Sequence, residues 1–409
     1  MPAQRTVELE GHIIDSGMMG DCFGLVMDMG GSFEVEAFDI GRHRDEESYA
    51  RLTVSADSED HLRPILQALH QHGATLTGVD DATLEPAPAT RVVPTGFYST
   101  TNHPTDVRVD GTWLPVVHPE MDCAIVVDRA NARADTKPLS AIEDGDLVVT
   151  GEAGIRVKPP ARPRDPGGPF GFMRGGVSSE RPSLTMIRRV AAAIQDTIAA
   201  DGSVLVVGGP ALIHAGARPE LARLIRGGYV SALSAGNGFA VHDIERDLYG
   251  TSLGVDVDTM EHPRHGHKHH IYTISEIIRA GGIEAAVSDG ILEGGIMYEC
   301  VTNDVPFVLA GSIRDDGPLP ETITDAIAAQ TAIREQARSA DLVLMLATML
   351  HSVAVGNCLP STTKLICVDI NQATVTQLLD RGSAHAIGMV TDVGTFLPLL
   401  AQSLLDDER

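Results

Sequence analysis

The second half of the chain alternates uninterrupted apolar runs with segments of helical length. The clearest runs are SVLVVG (203–208), DLVLMLA (341–347) and KLICVDI (364–370), and further strands are predicted at 229–235, 306–311 and 385–390. A strand that is apolar on both faces needs cover on both faces, which helices supply in parallel sheets. Helices are predicted between the strands, at 183–200, 320–338 and 371–381. Residues 166–409 are therefore predicted to form a Rossmann-like α/β domain with a mainly parallel sheet covered on both faces.

The first 85 residues show a different periodicity. Ala50, Leu52 and Val54 alternate along a predicted strand, and Asp57-Ser58 can cap the helix that follows. The apolar stripe of that helix consists of Leu62, Ile65, Leu66 and Leu69. The order of predicted elements is βαββαβ, which indicates a ferredoxin-like α+β domain over residues 1–85.

Residues 86–165 lack a helical period. Short apolar runs such as CAIVV and DLVVTG are separated by turn signals, among them Asp110-Gly111 and Asp144-Gly145. The stretch PPARPRDPGGP (159–169) is typical of a linker. Residues 86–165 are therefore predicted to be a small all-β domain and a linker.

Charge and composition exclude several classes of partner. The chain has 31 Lys and Arg against 56 Asp and Glu, a formal net charge of −25, which repels nucleic acid and anionic lipid. The longest charge-free apolar run, Leu342–Leu350, is nine residues and too short to span a membrane. The opening MPAQRTVELE has no apolar signal segment, so we expect a cytoplasmic protein. The five cysteines form no CxxC pair, which argues against a disulfide framework and a thiolate zinc site.

Five of the 16 histidines fall within nine residues of the segment EHPRHGHKHHI (261–271). His267, Lys268, His269 and His270 are the candidate catalytic groups. Imidazoles titrate near neutrality, and these side chains can hold a carboxylate or move protons. The alternative is a polar loop that caps the following helix. Because no HExxH arrangement is present, we expect no metal.

A nucleotide site is predicted although the fingerprint GxGxxG is absent. A strand is expected to end near Ala347, and residues 348–351 would then open a helix whose N–H groups can bind a phosphate. Asp369 ends the next strand, 21 residues after Thr348, where an acid can accept hydrogen bonds from a ribose diol. Asp392 follows a third strand on the same edge. Both acids can instead be helix N-caps, so these residues alone leave the NAD interpretation open.

Several longer stretches resemble one known family. They include YARLTVSA, GFYSTTNHPT, AGNGFAVHDIE, LYGTSLGVD, GSIRDDGPLP and ATMLHSVAVGN, and the resemblance runs from about residue 5 to about residue 400. The family is named for a lysine-oxoglutarate reductase/saccharopine dehydrogenase (LOR/SDH) conserved region. Its members include archaeal ornithine cyclodeaminases and the C-terminal half of cyanobacterial arginine dihydrolase fusions. The resemblance implies an NAD-dependent conversion of L-ornithine to L-proline and ammonia.

The resemblance also implies which residues bind NAD. They are Asn237, Gly238, Asp316, Thr348, Met349, Leu350, His351, Asp369, Asp392 and Val393. Gly238 stands where the family pattern has a small residue such as alanine, and we expect the difference to be tolerated. The segments YTISEI and DGILEGG depart from the family pattern beside the predicted substrate pocket. These departures leave the choice among basic amino acids open, but not the reaction class.

Three further residues are candidate substrate contacts: Asn102, Arg314 and Cys300. Arg314 can pair with a carboxylate in a bidentate manner, or it can be an exposed loop cation. Asn102 can alternatively cap a turn, and Cys300 can alternatively be buried packing. The expected partner is a small basic amino acid, and the expected assembly is a homo-oligomer.

Three functions are compatible with these residues. The first is an ornithine cyclodeaminase, in which one cofactor holds the hydride taken from C2 until it is returned. The second is an ordinary NAD-dependent amino-acid dehydrogenase, which would release NADH. The third is a non-catalytic module that senses an amino acid or NAD without turnover.

Overall fold

The computed structural model of the chain divides into two compact units. The first comprises Met1–Phe172 and Leu359–Thr362, and the second comprises Met173–Cys358 and Thr363–Arg409. The structure describes residues 3–11, 13–14, 18–41, 46, 48–76, 80–158, 184–256, 266–315, 317–379 and 386–405. Within these ranges, every helix is too short or too polar to cross a membrane.

The first unit opens with the predicted ferredoxin-like pattern. Its elements are β1 (Ala3–Gly11), α1 (Met18–Asp28), β2 (Ser32–Asp39), β3 (Ser48–Ala56), α2 (Glu59–Gln71) and β4 (Thr75–Leu76). The strands form an antiparallel sheet in the order β2-β3-β1-β4, which confirms the βαββαβ prediction. Ala50, Leu52 and Val54 are buried on one face of β3, as predicted. The hydroxyl of Ser58 accepts a hydrogen bond from the His61 N–H and so caps α2.

A second sheet in this unit is formed by seven strands with no α-helix between them. Its strands are β5 (Thr83–Pro86), β6 (Thr105–Val109), β7 (Thr112–Val117), β8 (Ala124–Asp128), β9 (Arg133–Lys137), β10 (Leu147–Thr150) and β11 (Ile155–Val157). They lie in the order β11-β6-β7-β9-β8-β10-β5. Asp110 and Gly111 both have positive φ, 50° and 78°, and form the tight turn between β6 and β7 that their sequence predicts. Strand β5 precedes the predicted boundary at residue 86 but pairs with β10.

The second unit is a Rossmann-fold α/β domain. Its strands are β12 (Val204–Gly208), β13 (Ala232–Gly236), β14 (Thr251–Ser252), β15 (Val255–Asp256), β16 (Phe307–Ala310), β17 (Thr322–Ile323), β18 (Leu342–Leu346), β19 (Lys364–Asp369) and β20 (Ala386–Val390). Its helices are α3 (Leu184–Ala199), α4 (Ala211–His214), α5 (Arg218–Arg226), α6 (Asn237–Tyr249), α7 (His269–Ala280), α8 (Ile283–Ser288), α9 (Ile296–Thr302), α10 (Ala326–Arg338), α11 (Leu350–Cys358), α12 (Gln372–Leu379) and α13 (Val393–Leu405). The predicted α/β architecture is therefore confirmed.

Seven of these strands form one parallel sheet, in the order β17-β16-β13-β12-β18-β19-β20. The chain proceeds outward from β12 in one direction and, after β17, returns to the other side of β12 at β18. Such a reversal opens a crevice at the carboxyl ends of the two central strands, and ligands of α/β proteins bind there. Strands β14 and β15 pair as a separate hairpin, which follows α6 directly.

Two predicted helix boundaries are wrong. The predicted helix at 320–338 begins only at Ala326, because residues 322–323 add the edge strand β17 and Asp325 caps α10 by accepting from the Ala328 N–H. The helix expected to open at Thr348 begins at Leu350 instead. Ala347 has a φ of 51°, and this left-handed residue turns the chain between β18 and α11.

Candidate active site

The crevice between β12 and β18 requires close approach of two backbone segments. The N–H of Gly209 donates to the Leu346 carbonyl at 3.0 Å. A Cβ on Gly209 would lie 2.0 Å from the Ala347 carbonyl oxygen, so this position accepts only glycine. The backbone after β12 therefore lies directly against the backbone after β18 at the point where the strand order reverses, which is the usual place for a dinucleotide in such sheets.

Asp369 ends β19 at this edge and is 8% exposed. Its Oδ1 accepts from the Asn371 N–H at 2.7 Å, while Oδ2 accepts no hydrogen bond from the residues that the structure describes. The second oxygen can therefore accept from a ribose hydroxyl. Asp392 Oδ1 accepts from the Gly394 N–H at 2.7 Å at the start of α13, which is the geometry of a helix cap. The next residue, Val393, is buried in the hydrophobic core.

Apolar and neutral side chains follow β18 and β19. Met349, Leu350 and Ile370 are exposed, with Leu350 83% accessible, and such uncovered apolar groups suit the faces of a base or a nicotinamide. Thr348 is half-buried beside them. The His351 Nε2 lies 3.3 Å from the Ser234 hydroxyl, and burial lowers the pKa of His351 to about 4. This imidazole is therefore neutral at physiological pH.

Asn237 and Gly238 open α6 after β13. The Asn237 Oδ1 accepts from the Leu319 N–H at 3.0 Å and from the Thr322 hydroxyl at 2.9 Å, so this side chain fixes the loop that leads to β17. A Cβ on Gly238 would meet only Pro210 Cγ at 3.9 Å among the described atoms. The space at Gly238 is compatible with alanine, in line with the expected tolerance.

A cavity of about 560 Å³ lies beside these residues in the second unit. It is lined by Pro210, His214, Gly236, Asn237, Gly238, Phe239, Val241, His242, Leu253, His270, Ile274, Ala310, Ser312, Arg314 and Asp315. Four of the predicted site residues, Asn237, Gly238, His270 and Arg314, thus line one cavity. It also adds two histidines, His214 and His242, that were not predicted.

His242 is bonded to a carboxylate on its own helix. Its Nδ1 lies 3.0 Å from Oε2 of Glu245, one turn further along α6, and Glu245 is 0% exposed. Glu245 also accepts from the Thr251 hydroxyl at 2.8 Å, the Leu253 N–H at 3.1 Å and the Gly254 N–H at 2.9 Å. Burial alone would raise the pKa of Glu245, but the hydrogen bonds from His242, Gly254 and Thr251 outweigh it and lower the pKa.

His214 completes a histidine pair in the cavity wall. Its ring centroid lies 5.1 Å from that of His242, and its Nδ1 lies 2.8 Å from the Ser252 hydroxyl. Burial lowers the pKa of His214, and the neighbouring His242 lowers it further. His214 is therefore held neutral. Its hydrogen-bond partner is a hydroxyl, whereas the partner of His242 is a carboxylate.

Only part of the histidine-rich segment lies in the described part of the chain. Residues 257–265, which include His262 and His265, and the side chain of His267 lie outside the described part of the chain. Lys268 is exposed, and His269 contacts Thr251 (2.8 Å) and stacks on Tyr249 (centroids 4.9 Å apart). Of the described side chains in this group, His270 alone lines the cavity. Consecutive helical residues point about 100° apart, so a run of neighbours does not face one site.

The remaining candidates lie in different surroundings. Arg314 is exposed on the loop after β16, in a turn where the Asp315 carboxylate accepts from the Ser312 N–H and hydroxyl. Asp316 lies outside the described residues. Cys300 is buried in the hydrophobic core, burial raises the pKa of its thiol, and it does not line the cavity. Asn102 is buried in the first unit, where its carbonyl accepts from the Ser361 N–H.

No group of three or more metal-binding side chains occurs within the described ranges.

The residues that were not predicted, His242 and Glu245, carry a weak signal in the sequence. They are three positions apart, which places them on one helix face. The tight turn at Leu253-Gly254, where φ is 52° and 73°, presents two N–H groups to Glu245. In the sequence, Gly254 is the residue that indicates this turn.

Comparison with protein families covers nearly the entire chain. Residues 4–103 match the "LOR/SDH bifunctional enzyme conserved region". Residues 104–187 match "Arginine dihydrolase ArgZ-like, C-terminal, first region", and residues 188–400 match the corresponding "Rossmann fold" model.

Archaeal relatives are similar over nearly their full length, and a cyanobacterial relative over part of its length. Proteins named ornithine cyclodeaminase from Methanopyrus kandleri and Methanocaldococcus jannaschii are 53% and 51% identical, with 99% and 98% of this chain and 99% and 96% of theirs covered. The bifunctional arginine dihydrolase/ornithine cyclodeaminase AgrE of Nostoc sp. is 45% identical, and this chain spans 58% of its length.

Two solved structures extend the comparison. The putative LOR/SDH protein from Methanococcus maripaludis S2 superposes with a TM-score of 0.77 at 49% identity, covering 81% of this chain and all of that one. The ternary complex of AgrE with ornithine and NAD+ superposes with a TM-score of 0.54 at 43% identity, covering 100% of this chain and 58% of that one. This chain therefore belongs to the LOR/SDH conserved-region family, together with archaeal proteins named ornithine cyclodeaminase and the C-terminal regions of cyanobacterial ArgZ and AgrE.

Proposed function

We propose that this protein is an NAD-dependent ornithine cyclodeaminase that converts L-ornithine to L-proline and ammonia. The observation that carries the proposal is the AgrE complex with ornithine and NAD+, because all of this chain aligns with that protein at 43% identity. Relatives that match from end to end and are named ornithine cyclodeaminase support the same reaction. We propose that the enzyme is a cyclising ammonia-lyase that serves proline formation. We also propose that it is a homo-oligomer in the cytoplasm.

The residues at the carboxyl ends of β12, β18 and β19 fit NAD. Gly209 lies where the strand order reverses, at the usual place for a dinucleotide. Asp369 Oδ2 can accept from a ribose hydroxyl, and Met349, Leu350 and Ile370 offer apolar contact. Bound NAD would supply a hydride acceptor for C2 of the amino acid and a donor that returns the hydride to C2 of the cyclic imine. Because the hydride returns, the reaction has no net oxidation.

The protein's own residues have three tasks in this reaction. Arg314 lines the cavity, and we assign its guanidinium to the substrate carboxylate, which arginine can bind in a bidentate manner. A base must accept the proton that a substrate nitrogen sheds on ring closure. The cavity walls must keep water from the imine before the ring closes.

Mass spectrometry of the products from ornithine, lysine, arginine and 2,4-diaminobutyrate tests the proposal. We expect proline and ammonia from ornithine in equal amounts, with no net absorbance change at 340 nm over many turnovers. Stoichiometric NADH with an oxo or imino acid would identify a dehydrogenase instead. Binding of ornithine or NAD without any product would identify a sensing module.

A further inference from the structure

The cavity at the carboxyl ends of the parallel strands is lined by a histidine that a buried carboxylate orients. We propose that His242 is the catalytic residue that moves a proton between the two nitrogens on C2 when the ring has closed, and that Glu245 is its positioning residue. This inference rests on the proposed cyclodeaminase function.

The hydrogen bond to Glu245 determines which nitrogen of His242 is available. A carboxylate can only accept, so the proton of the neutral imidazole is on Nδ1, which lies 3.0 Å from Glu245 Oε2. Nε2 then carries the lone pair, and it has no hydrogen-bond partner among the residues that the structure describes. Because His242 lines the cavity, its ring is placed to accept a proton from a molecule bound there.

Glu245 is fixed in place, as a group that orients His242 must be. It is fully buried, and its two oxygens accept from the Thr251 hydroxyl and from the N–H groups of Leu253 and Gly254, in addition to His242. These donors keep the carboxylate ionised and fixed. A fixed anion beside Nδ1 stabilises the imidazolium that forms when Nε2 takes up a proton.

His214 and His351 lack this arrangement. His214 is bonded to the Ser252 hydroxyl, and burial together with the nearby His242 lowers its pKa, which disfavours a positive charge. His351 does not line the cavity, and its pKa of about 4 keeps it neutral. The carboxylate next to His242 in sequence, Asp243, is occupied by Arg218 and by the N–H groups that start α9.

The chemistry of ring closure needs such a group. When the δ-nitrogen has bonded to C2, the ring nitrogen carries one proton too many, and the α-nitrogen must leave as ammonia. Nε2 of His242 takes the proton from the ring nitrogen and gives it to the α-nitrogen. The C2–Nα bond then breaks with its electron pair on the departing ammonia, and the lone pair of the ring nitrogen forms the C2=N bond. Both nitrogens are on one carbon, so a single base reaches both, and no further reactant is required.

Single-turnover kinetics on the full-length protein with NAD+ and ornithine test this role. In His242→Asn the amide replaces Nδ1–H as donor to Glu245, but no base remains. General acid–base groups contribute roughly 100- to 10,000-fold, so we expect ammonia release to slow by about 100-fold or more. Oxidation at C2 should persist, so absorbance at 340 nm should build up in the variant and not in the wild type.

His118→Asn is the matched control. His118 follows β7, and its Nδ1 lies 3.0 Å from Oδ1 of Asp135 in β9, so the control removes a histidine–carboxylate pair with the same Nδ1–oxygen distance. The φ of His118 is 55°, a conformation that asparagine tolerates well. Both variants should unfold at the wild-type temperature within a few degrees and should bind NAD+ within twofold of wild type by calorimetry.

Glu245→Gln tests the positioning role through the pH profile. The charged or titratable groups around His242 are Glu245, His214 and the cavity-lining His270, Arg314 and Asp315. Loss of the anion beside Nδ1 should move the acid limb of the ammonia-release rate to lower pH, because the imidazolium loses its partner. A role confined to folding would lower the rate at every pH without moving the limb.

The outcomes separate the inference from the proposed function. Wild-type protein that makes no proline from ornithine contradicts the proposed function. If the wild type makes proline and His242→Asn releases ammonia at the wild-type rate, the inference alone is overturned. The inference is equally overturned if His242→Asn, folded and binding NAD+, fails to oxidise C2, because His242 would then act at an earlier step.

Discussion

Among the residues that the structure describes, two regions hold a histidine bonded to a carboxylate, and they differ in their surroundings. In the Rossmann-fold unit, Glu245 is fully buried and His242 is 9% exposed beside a cavity. In the all-β sheet of the first unit, the His118 and Asp135 side chains are 35% and 26% exposed at the same 3.0 Å separation. The pair itself is therefore not the distinguishing feature. Burial and a cavity are what fit the first pair for proton transfer.

The difference in burial also changes what each carboxylate requires. A buried carboxylate has no water to accept from, so the protein must supply its donors, and Glu245 has four of them. Asp135 is partly solvated and shares its charge with Arg133 at 2.7 Å. Exposed pairs of this kind contribute little to stability.

The largest expected effect is on stability when each carboxylate is removed. Glu245→Ala leaves buried donors from Thr251, Leu253 and Gly254 without an acceptor, and breaking such a buried network costs roughly 3–5 kcal/mol. Asp135→Ala should cost about 1 kcal/mol or less. Denaturant unfolding of both variants measures the difference. Equal losses would mean that burial does not separate the two pairs.

A smaller effect is expected in the pH dependence of stability. The pKa of Glu245 in the folded protein is lowered from its ordinary value of 4.5. The folded state thus favours the ionised form, so this group's contribution is complete above about pH 4.5 and is lost as the pH falls through the lower folded pKa.

Glu245→Gln, which has no titrating group at this position, should therefore lose less stability than wild type on acidification below pH 4.5. Between pH 7 and pH 5 the two proteins should show parallel behaviour. Thermal melts across both ranges measure this. A divergence confined to the neutral range would contradict the assignment to Glu245.

Most of the fold can be predicted from the sequence, because the order of strands and helices follows from local patterns. Uninterrupted apolar strands require a sheet covered on both faces, and the order βαββαβ specifies the first sheet. The spacing from Thr348 to Asp369 reflects one helix and one strand, so it locates the sheet edge. The edge strand β17 escaped prediction because its two residues, Thr322 and Ile323, are too few to show a period.

The proton-transfer pair could not be predicted in the same way. Glu245 acquires its role from the hairpin at 251–254 and His242 from the cavity, and both depend on tertiary packing. A Cβ on Gly208 would meet the Phe239 ring at 2.8 Å, so this glycine lets α6 pack closely against β12. Local density of histidines pointed instead to residues 267–270, where His270 is the described side chain that lines the cavity.

The most direct test of the proposed chemistry follows one hydrogen. Ornithine that carries deuterium at C2 is converted by the wild-type protein with NAD+, and the proline is analysed by mass spectrometry and NMR. Because one bound cofactor would take the hydride and return it to the same substrate molecule, we expect the deuterium at C2 of proline in nearly every molecule. Proline without deuterium, or deuterium recovered in free NADH, would contradict hydride return within one site.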